Sequence, residues 1–145
     1  MGDKSLVLED FLPYRLSVAS NAVSDRIADV YRARFGLRIP EWRVIAVVAE
    51  RGEATQAELV ALTAMDKMTV SRAATALVER GLLVRAPAHD RRTLALTLTP
   101  EGERLHADVA PLALDIEAEI LQGFSAAERA TLMALLARLA ACAKP

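Results

Sequence analysis

Three observations place this chain of 145 residues in a mostly α class with one small β-hairpin. Apolar residues recur at helical spacing through most of its length, punctuated by Gly, Pro and Ser/Thr/Asp cap residues. Near the middle, two short helical patterns are separated only by Thr63-Ala64-Met65, too little for anything but a turn. Directly after the second pattern the period becomes strand-like, in Leu82-Leu83-Val84-Arg85 and in Leu94-Ala95-Leu96-Thr97-Leu98. Helix, turn, helix, hairpin is the order of a winged helix-turn-helix, here with further helices on both sides.

Residues 1–6 read as a loose end. A helix is expected from about Val7 to Phe35, where Phe11, Leu12, Leu16, Ala19, Val23, Ile27, Val30 and Tyr31 follow the repeat. Pro13 marks its true start or a kink, and Gly36 ends it. Pro40 suits the first turn of the next helix, Glu41 to Arg51, which sets Trp42, Ile45, Val48 and Ala49 on one side. Gly52 closes it. Thr55 and Glu58 have the spacing of a capping box, and Ala57, Leu59 and Leu62 form a small apolar face behind it. Asp66 serves as N-cap for a further helix, in which Val70, Ala73 or Ala74, Leu77 and Val78 repeat until Gly81 stops it.

Between the two strand-like runs lies Ala86–Thr93, polar and basic, with a proline that suits a hairpin rim. Thr99-Pro100-Glu101 then opens a helix with Leu105, Val109, Leu112, Ile116 and Ile120 along one face, and a bend is expected before Pro111. Gly123 breaks this run, Ser125 and Glu128 form another capping box, and Leu132, Leu135, Leu136 and Leu139 line the last helix. The chain contains no internal repeat and no low-complexity linker.

Hydrophobic residues make up 53% of the chain and aromatics only 4%, so the excess is Ala, Leu and Val, which favours close helix packing. Three amphipathic flanking helices need partners, and burial against a second copy accounts for them most simply. No run of ~18 uncharged apolar residues occurs, as a membrane span needs. The N-terminus carries acids within its apolar stretch and lacks a cleavage-like end, unlike a signal peptide. The single cysteine rules out an intramolecular disulfide framework, and together these features lead us to expect a cytoplasmic protein. No H-E-x-x-H, phosphate-cradling glycine loop or Cys/His cluster is present, so neither an enzyme nor a cofactor or metal site is expected. His89 and His106 stand alone, and Cys142 reads as a small packing residue.

Charge is unevenly spread. From Asp66 to Thr93, six cations (Lys67, Arg72, Arg80, Arg85, Arg91, Arg92) face three carboxylates (Asp66, Glu79, Asp90), an excess of three on a chain of net charge −1. Such an excess on a groove-sized helix and a hairpin tip is the footprint of a phosphate-binding surface. Opposite Val70, Ala74 and Leu77 the helix presents Met68, Arg72 and Thr75, with Lys67, Thr69 and Ser71 around its first turn. Arg72 can make a bidentate contact to guanine, Thr69 and Ser71 can bond a phosphate or base edge, and Lys67 supplies a point charge to phosphate. Asp90 and Arg92 lie two apart in the hairpin and can share one face, the carboxylate holding the arginine fork towards a narrow minor groove.

The chain resembles the MarR family of bacterial transcriptional regulators. The resemblance rests on Trp42-Arg43-Val44-Ile45, on Asp66-Lys-Met-Thr-Val-Ser-Arg72, on Leu77-Val-Glu-Arg-Gly-Leu82, and on Asp90-Arg-Arg92 followed by Leu98-Thr-Pro-Glu-Gly102. It runs over roughly residues 8–140. It implies Arg92 as the minor-groove residue, Asp90 as its holder and Arg91 as a phosphate contact. It also implies residues 1–35 and 100–145 as a helical region that interlocks in a homodimer, around a DNA-binding region at 36–99, all within one compact domain. A small effector, such as an aromatic acid, would by resemblance sit near Leu16, Ala19, Trp42, Arg43, Ile45 and His106. Arg43 would pair its carboxylate and Trp42 would stack on its ring. The expected function is a DNA-binding regulator, a repressor in the first instance, acting on palindromic duplex DNA. The alternatives are a winged-helix protein-interaction module, or a regulator sensing oxidants through Cys142.

Overall fold

A computed structural model describes residue 2 and residues 4–145; Met1 and Asp3, part of the segment read as a loose end, lie outside the described residues. After a 3-10 turn at Leu8–Asp10 come α1 (Leu12–Phe35), α2 (Ile39–Arg51), β1 (Ala54–Thr55), α3 (Gln56–Thr63), α4 (Lys67–Glu79), β2 (Leu83–Pro87), β3 (Leu94–Leu98), α5 (Pro100–Ile120) and α6 (Ala126–Ala143). The first helix therefore begins at Leu12 rather than near Val7, with Pro13 in its opening turn, where its missing N–H costs no helical bond. For the same reason α2 starts at Ile39, with Pro40 in the first turn. The helix of Pro111 continues without interruption to Ile120.

The hairpin is part of a three-stranded antiparallel sheet in the order β1-β3-β2. Ala54 pairs with Leu96 and Thr55 with Ala95, and β2 pairs with β3 from Leu83↔Leu98 to Pro87↔Leu94. Two residues are too few to show a strand period, so β1 exists only because β3 offers an edge to pair with.

The core is built by Val44, Ile45 and Val48 of α2, Leu59 of α3, Val70, Ala73, Ala74 and Leu77 of α4, and Leu82, Leu83 and Leu96 around the sheet. Ala28 and Tyr31 of α1, Leu37, and Val109 of α5 extend it into the flanking helices. In α3 only Leu59 and Thr63 are buried, while Leu62 is half exposed beside Val47 and Arg51. The face expected there is thus narrower than Ala57, Leu59 and Leu62, because α3 touches α2 and α4 along one edge. By contrast, α6 has no buried residue, and its Leu132, Met133, Leu135 and Leu136 are between 41% and 67% exposed.

Local chemistry sets the joints. Asp66 accepts the Thr69 N–H at 2.8 Å and starts α4. Gly81 (φ 74) ends it in a Schellman turn, with Leu82 N–H reaching Leu77 C=O at 3.0 Å and Gly81 N–H reaching Val78 C=O at 3.0 Å. Arg80 donates to the carbonyls of Phe35 (2.8 Å) and Gly36 (3.3 Å), tying the end of α4 to the end of α1. At β3 the Thr99 hydroxyl donates to Gly81 C=O (2.6 Å) and accepts from Gly102 N–H (3.0 Å), while Thr99 N–H bonds Leu82 C=O (3.1 Å). The start of α5 is latched in this way to the end of α4. Ser125 and Glu128 form the reciprocal capping box expected of them, at 2.9 and 3.1 Å. Thr55 caps α3 through Glu58 N–H (3.2 Å), but the Glu58 carboxylate takes the Thr55 hydroxyl and Arg51 instead of closing a box on the Thr55 backbone.

Candidate nucleic-acid interface

Burial of Val70, Ala73, Ala74 and Leu77 leaves the opposite face of α4 to solvent. Lys67, Met68, Arg72 and Thr75 are exposed on it, and Thr69 and Ser71 are half-buried. Because Asp66 takes both the N–H (2.8 Å) and the hydroxyl (3.0 Å) of Thr69, that hydroxyl is already engaged in capping. These two bonds hold the Asp66 carboxyl below its ordinary range, the backbone N–H contributing most. Beside Arg72 the N-terminus of α2 brings in Arg38: both line a shallow hollow of about 180 Å³ with Pro40, Glu41, Thr69 and Ala73. The buried Glu41 carboxylate receives the Arg38 N–H (2.9 Å) and Nε (3.4 Å), which orients that guanidinium. No helical or strand period pointed to Arg38.

The wing continues this surface. Arg85 of β2 donates to Thr75 Oγ1 of α4 at 3.4 Å, so strand and helix present their polar side chains together. At the tip, Ala88 N–H bonds Thr93 C=O (2.7 Å) and Arg91 N–H bonds Ala88 C=O (2.7 Å), with Arg91 itself in the left-handed region at φ 61. Asp90 accepts the backbone N–H of Arg92 at 3.0 Å in an Asx turn. It therefore shapes the loop on which Arg92 rides rather than gripping the guanidinium, since an i to i+2 carboxylate meets the N–H first. Asp90, Arg91 and Arg92 are all exposed, as is His89, whose N–H donates to Glu53 at 2.9 Å.

The residues expected around an effector do not form one site. Trp42 and Arg43 line a crevice of about 180 Å³ between α1 and α2 together with Ser24, Ile27, Tyr31 and Ile39. Ile45 is fully buried in the core on the neighbouring face of α2, and Leu16 and Ala19 lie exposed on the first half of α1. His106 lines a separate hollow of about 310 Å³ with Val48, Ala49, Gly52, Thr97, Leu98 and Glu103. It reaches Trp42 only by stacking, at 5.7 Å between ring centroids and 17° between planes, and Tyr31 lies on Trp42 at 5.7 Å and 31°. This Tyr31–Trp42–His106 ladder joins α1, α2 and α5; Tyr31 was visible in the sequence only as a periodic apolar position. Burial raises its phenol pKa, and the nearby Arg32 and Arg43 oppose that shift.

Cys142 is exposed. Among the described residues no three His, Cys, Asp or Glu side chains cluster as metal ligands, and no helix is long and apolar enough to cross a membrane.

Comparison with known proteins places this geometry. The family model described as the MarR family matches residues 35–93. The uncharacterized HTH-type transcriptional regulator YwoH of Bacillus subtilis is 30% identical over 90 residues, 62% of this chain and 66% of that protein, just under two-thirds of its length. A MarR/EmrR family transcriptional regulator from Acinetobacter superposes with a TM-score of 0.85 at 25% identity, covering 92% of this chain and 95% of the other. A probable transcriptional regulator from Pseudomonas aeruginosa superposes with a TM-score of 0.76 at 31% identity, covering 92% of this chain and 99% of the other. With its helix-turn-helix, its wing and these relatives, the chain belongs to the MarR family of winged helix-turn-helix transcriptional regulators.

Proposed function

We propose that this regulator binds palindromic duplex DNA as a homodimer, with α4 in the major groove and the wing reaching the flanking minor groove. The observation that carries the reading is the shared surface of α4 and the wing, joined at Thr75 and Arg85 and bearing Lys67, Arg72, Arg91 and Arg92 without a carboxylate ion pair among the described residues. Arg72 reads guanine, Lys67, Ser71 and Arg91 hold phosphates, Thr75 lies on the groove-facing side, and Arg92 enters the minor groove on the loop that Asp90 shapes.

The area of the isolated chain supports a dimer. It exposes 10181 Å², whereas a compact monomer of 15.7 kDa exposes roughly 7300 Å². The excess, ~3000 Å² per chain and so ~6000 Å² over a pair, reaches the upper end of what obligate homodimers bury. Most of the exposed large hydrophobics among the described residues lie in the flanking segments, 1–35 and 100–145, including Phe11, Leu12 and Leu16 near the start of α1 and Leu132, Leu135 and Leu136 of α6. We assign these as the dimerisation region and 36–99 as the DNA-binding region. Two recognition helices would then sit about one DNA turn, ~34 Å, apart.

We further propose that a small aromatic acid tunes DNA affinity from the α1–α2 crevice, its carboxylate on Arg43 and its ring on Trp42. At about 180 Å³ the crevice is smaller than the ~300 Å³ of an ordinary ligand site and suits a single ring. Repression is the expected outcome, by occlusion of a promoter.

The test is an anisotropy titration over a salt series against duplexes selected from a random pool. Nanomolar binding that falls with a log–log slope of up to about −7, as the eight cations of the dimer (Lys67, Arg72, Arg91 and Arg92 on each protomer) would give by displacing condensed counterions, supports the reading. Failure to select any duplex refutes it and favours a protein-interaction module.

A further inference from the structure

The wing loop holds itself together mostly by local bonds. Ala88 N–H goes to Thr93 C=O, Arg91 N–H to Ala88 C=O, and Arg92 N–H to the Asp90 carboxylate, all within six residues. One hydrogen bond among the described residues ties the loop to the body of the protein. It runs from His89 N–H to Glu53 Oε1, 2.9 Å long and 36 residues apart in sequence. Glu53 sits between Gly52, which ends α2, and Ala54, which begins the strand paired with β3. It takes part in none of the four ion pairs among the described residues, so the loop amide is its charge-assisted partner.

We propose that Glu53 is a positioning residue for DNA binding: it anchors the wing loop at His89 so that Arg92, three residues on, is presented at a fixed height above the sheet. This rests on the reading of the chain as a DNA-binding regulator. A carboxylate close to a loop that approaches phosphates is in itself unfavourable for binding. Its benefit must come from ordering the loop before DNA arrives, which lowers the entropy lost on binding. An anchor on the backbone amide also leaves the His89, Arg91 and Arg92 side chains free to reach DNA.

Charge and anchoring are separable, because an amide oxygen can accept the same bond without the charge. Glu53→Gln keeps the acceptor, whereas Glu53→Ala removes both acceptor and charge. On a duplex selected by the wild-type protein, Glu53→Ala should bind about fivefold more weakly per wing than Glu53→Gln, about 25-fold for a dimer that uses both wings, the effect of one net hydrogen bond in each. Glu53→Gln should bind at least as tightly as wild type. In an Arg92→Ala background the difference between the two variants should disappear. Amide hydrogen exchange of residues 86–93 in the free protein should rise in Glu53→Ala and stay near wild type in Glu53→Gln. Equal affinity of the two variants, whether both tightened or both unchanged, overturns the proposal even where exchange differs. So does unaltered exchange in Glu53→Ala. Should the wild-type protein select no duplex, the DNA-binding reading fails, and the exchange experiment alone still decides whether Glu53 tethers the loop.

Discussion

Gly102, the last residue of the Leu98-Thr-Pro-Glu-Gly102 segment, offers a direct measure of how the DNA-reading helix is joined to α5. Replacing a glycine near a helix start by alanine ordinarily stabilises, by roughly 1 kcal/mol. Here a Cβ would stand 2.1 Å from the Leu82 carbonyl oxygen and 3.1 Å from the Leu98 side chain. An ordinary carbon–oxygen contact is about 3.3 Å, so the two backbones would have to part by roughly 1.2 Å. Neither is free to move: Leu82 closes the turn that ends α4, and its carbonyl accepts Thr99 N–H at 3.1 Å. Overpacking of this kind costs about 1–3 kcal/mol, and straining the Thr99 latch adds about 1–2 kcal/mol. The clash wins, and we expect Gly102→Ala to lose about 3 kcal/mol. At 2–4 °C per kcal/mol this lowers Tm by roughly 10 °C. The assay is thermal unfolding by circular dichroism at one fixed protein concentration, because dimers melt concentration-dependently. Gly123→Ala, where nothing lies within 4 Å of the added Cβ, is the control and should melt close to wild type. A Gly102→Ala protein melting within about 2 °C of wild type refutes the reasoning.

The remaining outcomes concern the DNA-facing arginines, the dimer face, the helix caps and the crevice. Arg92→Ala should weaken binding to a selected duplex and reduce the magnitude of the salt slope by about 2 per dimer, while Arg72→Ala should flatten discrimination at one base position by about 1–3 kcal/mol; anisotropy against single-base variants of the duplex reads both. Leu132→Glu combined with Leu135→Glu should shift the sedimenting mass from twice 15.7 kDa to 15.7 kDa, and an unchanged dimer would place the interface elsewhere. Asp66 and Glu128 both have carboxyls held below their ordinary values of 3.8 and 4.5 by backbone N–H donors. Their stabilisation is therefore complete above those ordinary values and lost as pH falls through the lowered ones, so Tm of wild type should fall more steeply below about pH 5 than that of Asp66→Asn/Glu128→Gln. Finally, Arg43→Ala should abolish release from DNA by a single-ring aromatic acid without weakening DNA binding itself, which a titration with and without salicylate would show.

The sequence determined the order of the longer helices and of the hairpin, because each of these is written in local chemistry. Asp66 and Ser125 open their helices, Gly36 and Gly81 end theirs, and the period changes where helix gives way to strand. The outward face of α4 was legible for the same reason: the spacing of Val70, Ala74 and Leu77 leaves only one side for Arg72 and Thr75. What depends on contacts between distant segments was not legible. The strand at Ala54–Thr55 has no period of its own and forms only against β3. Arg38 comes beside Arg72, Arg80 onto the end of α1, and Glu53 under the wing, through meetings 34 to 45 residues apart that no local pattern encodes. Tertiary packing likewise sent Ile45 into the core while leaving its neighbours Trp42 and Arg43 on the crevice, since a helix only 13 residues long must face two neighbours at once. Local propensity acts within a turn or two of helix, and the positions of polar side chains across the fold are set by which apolar faces meet.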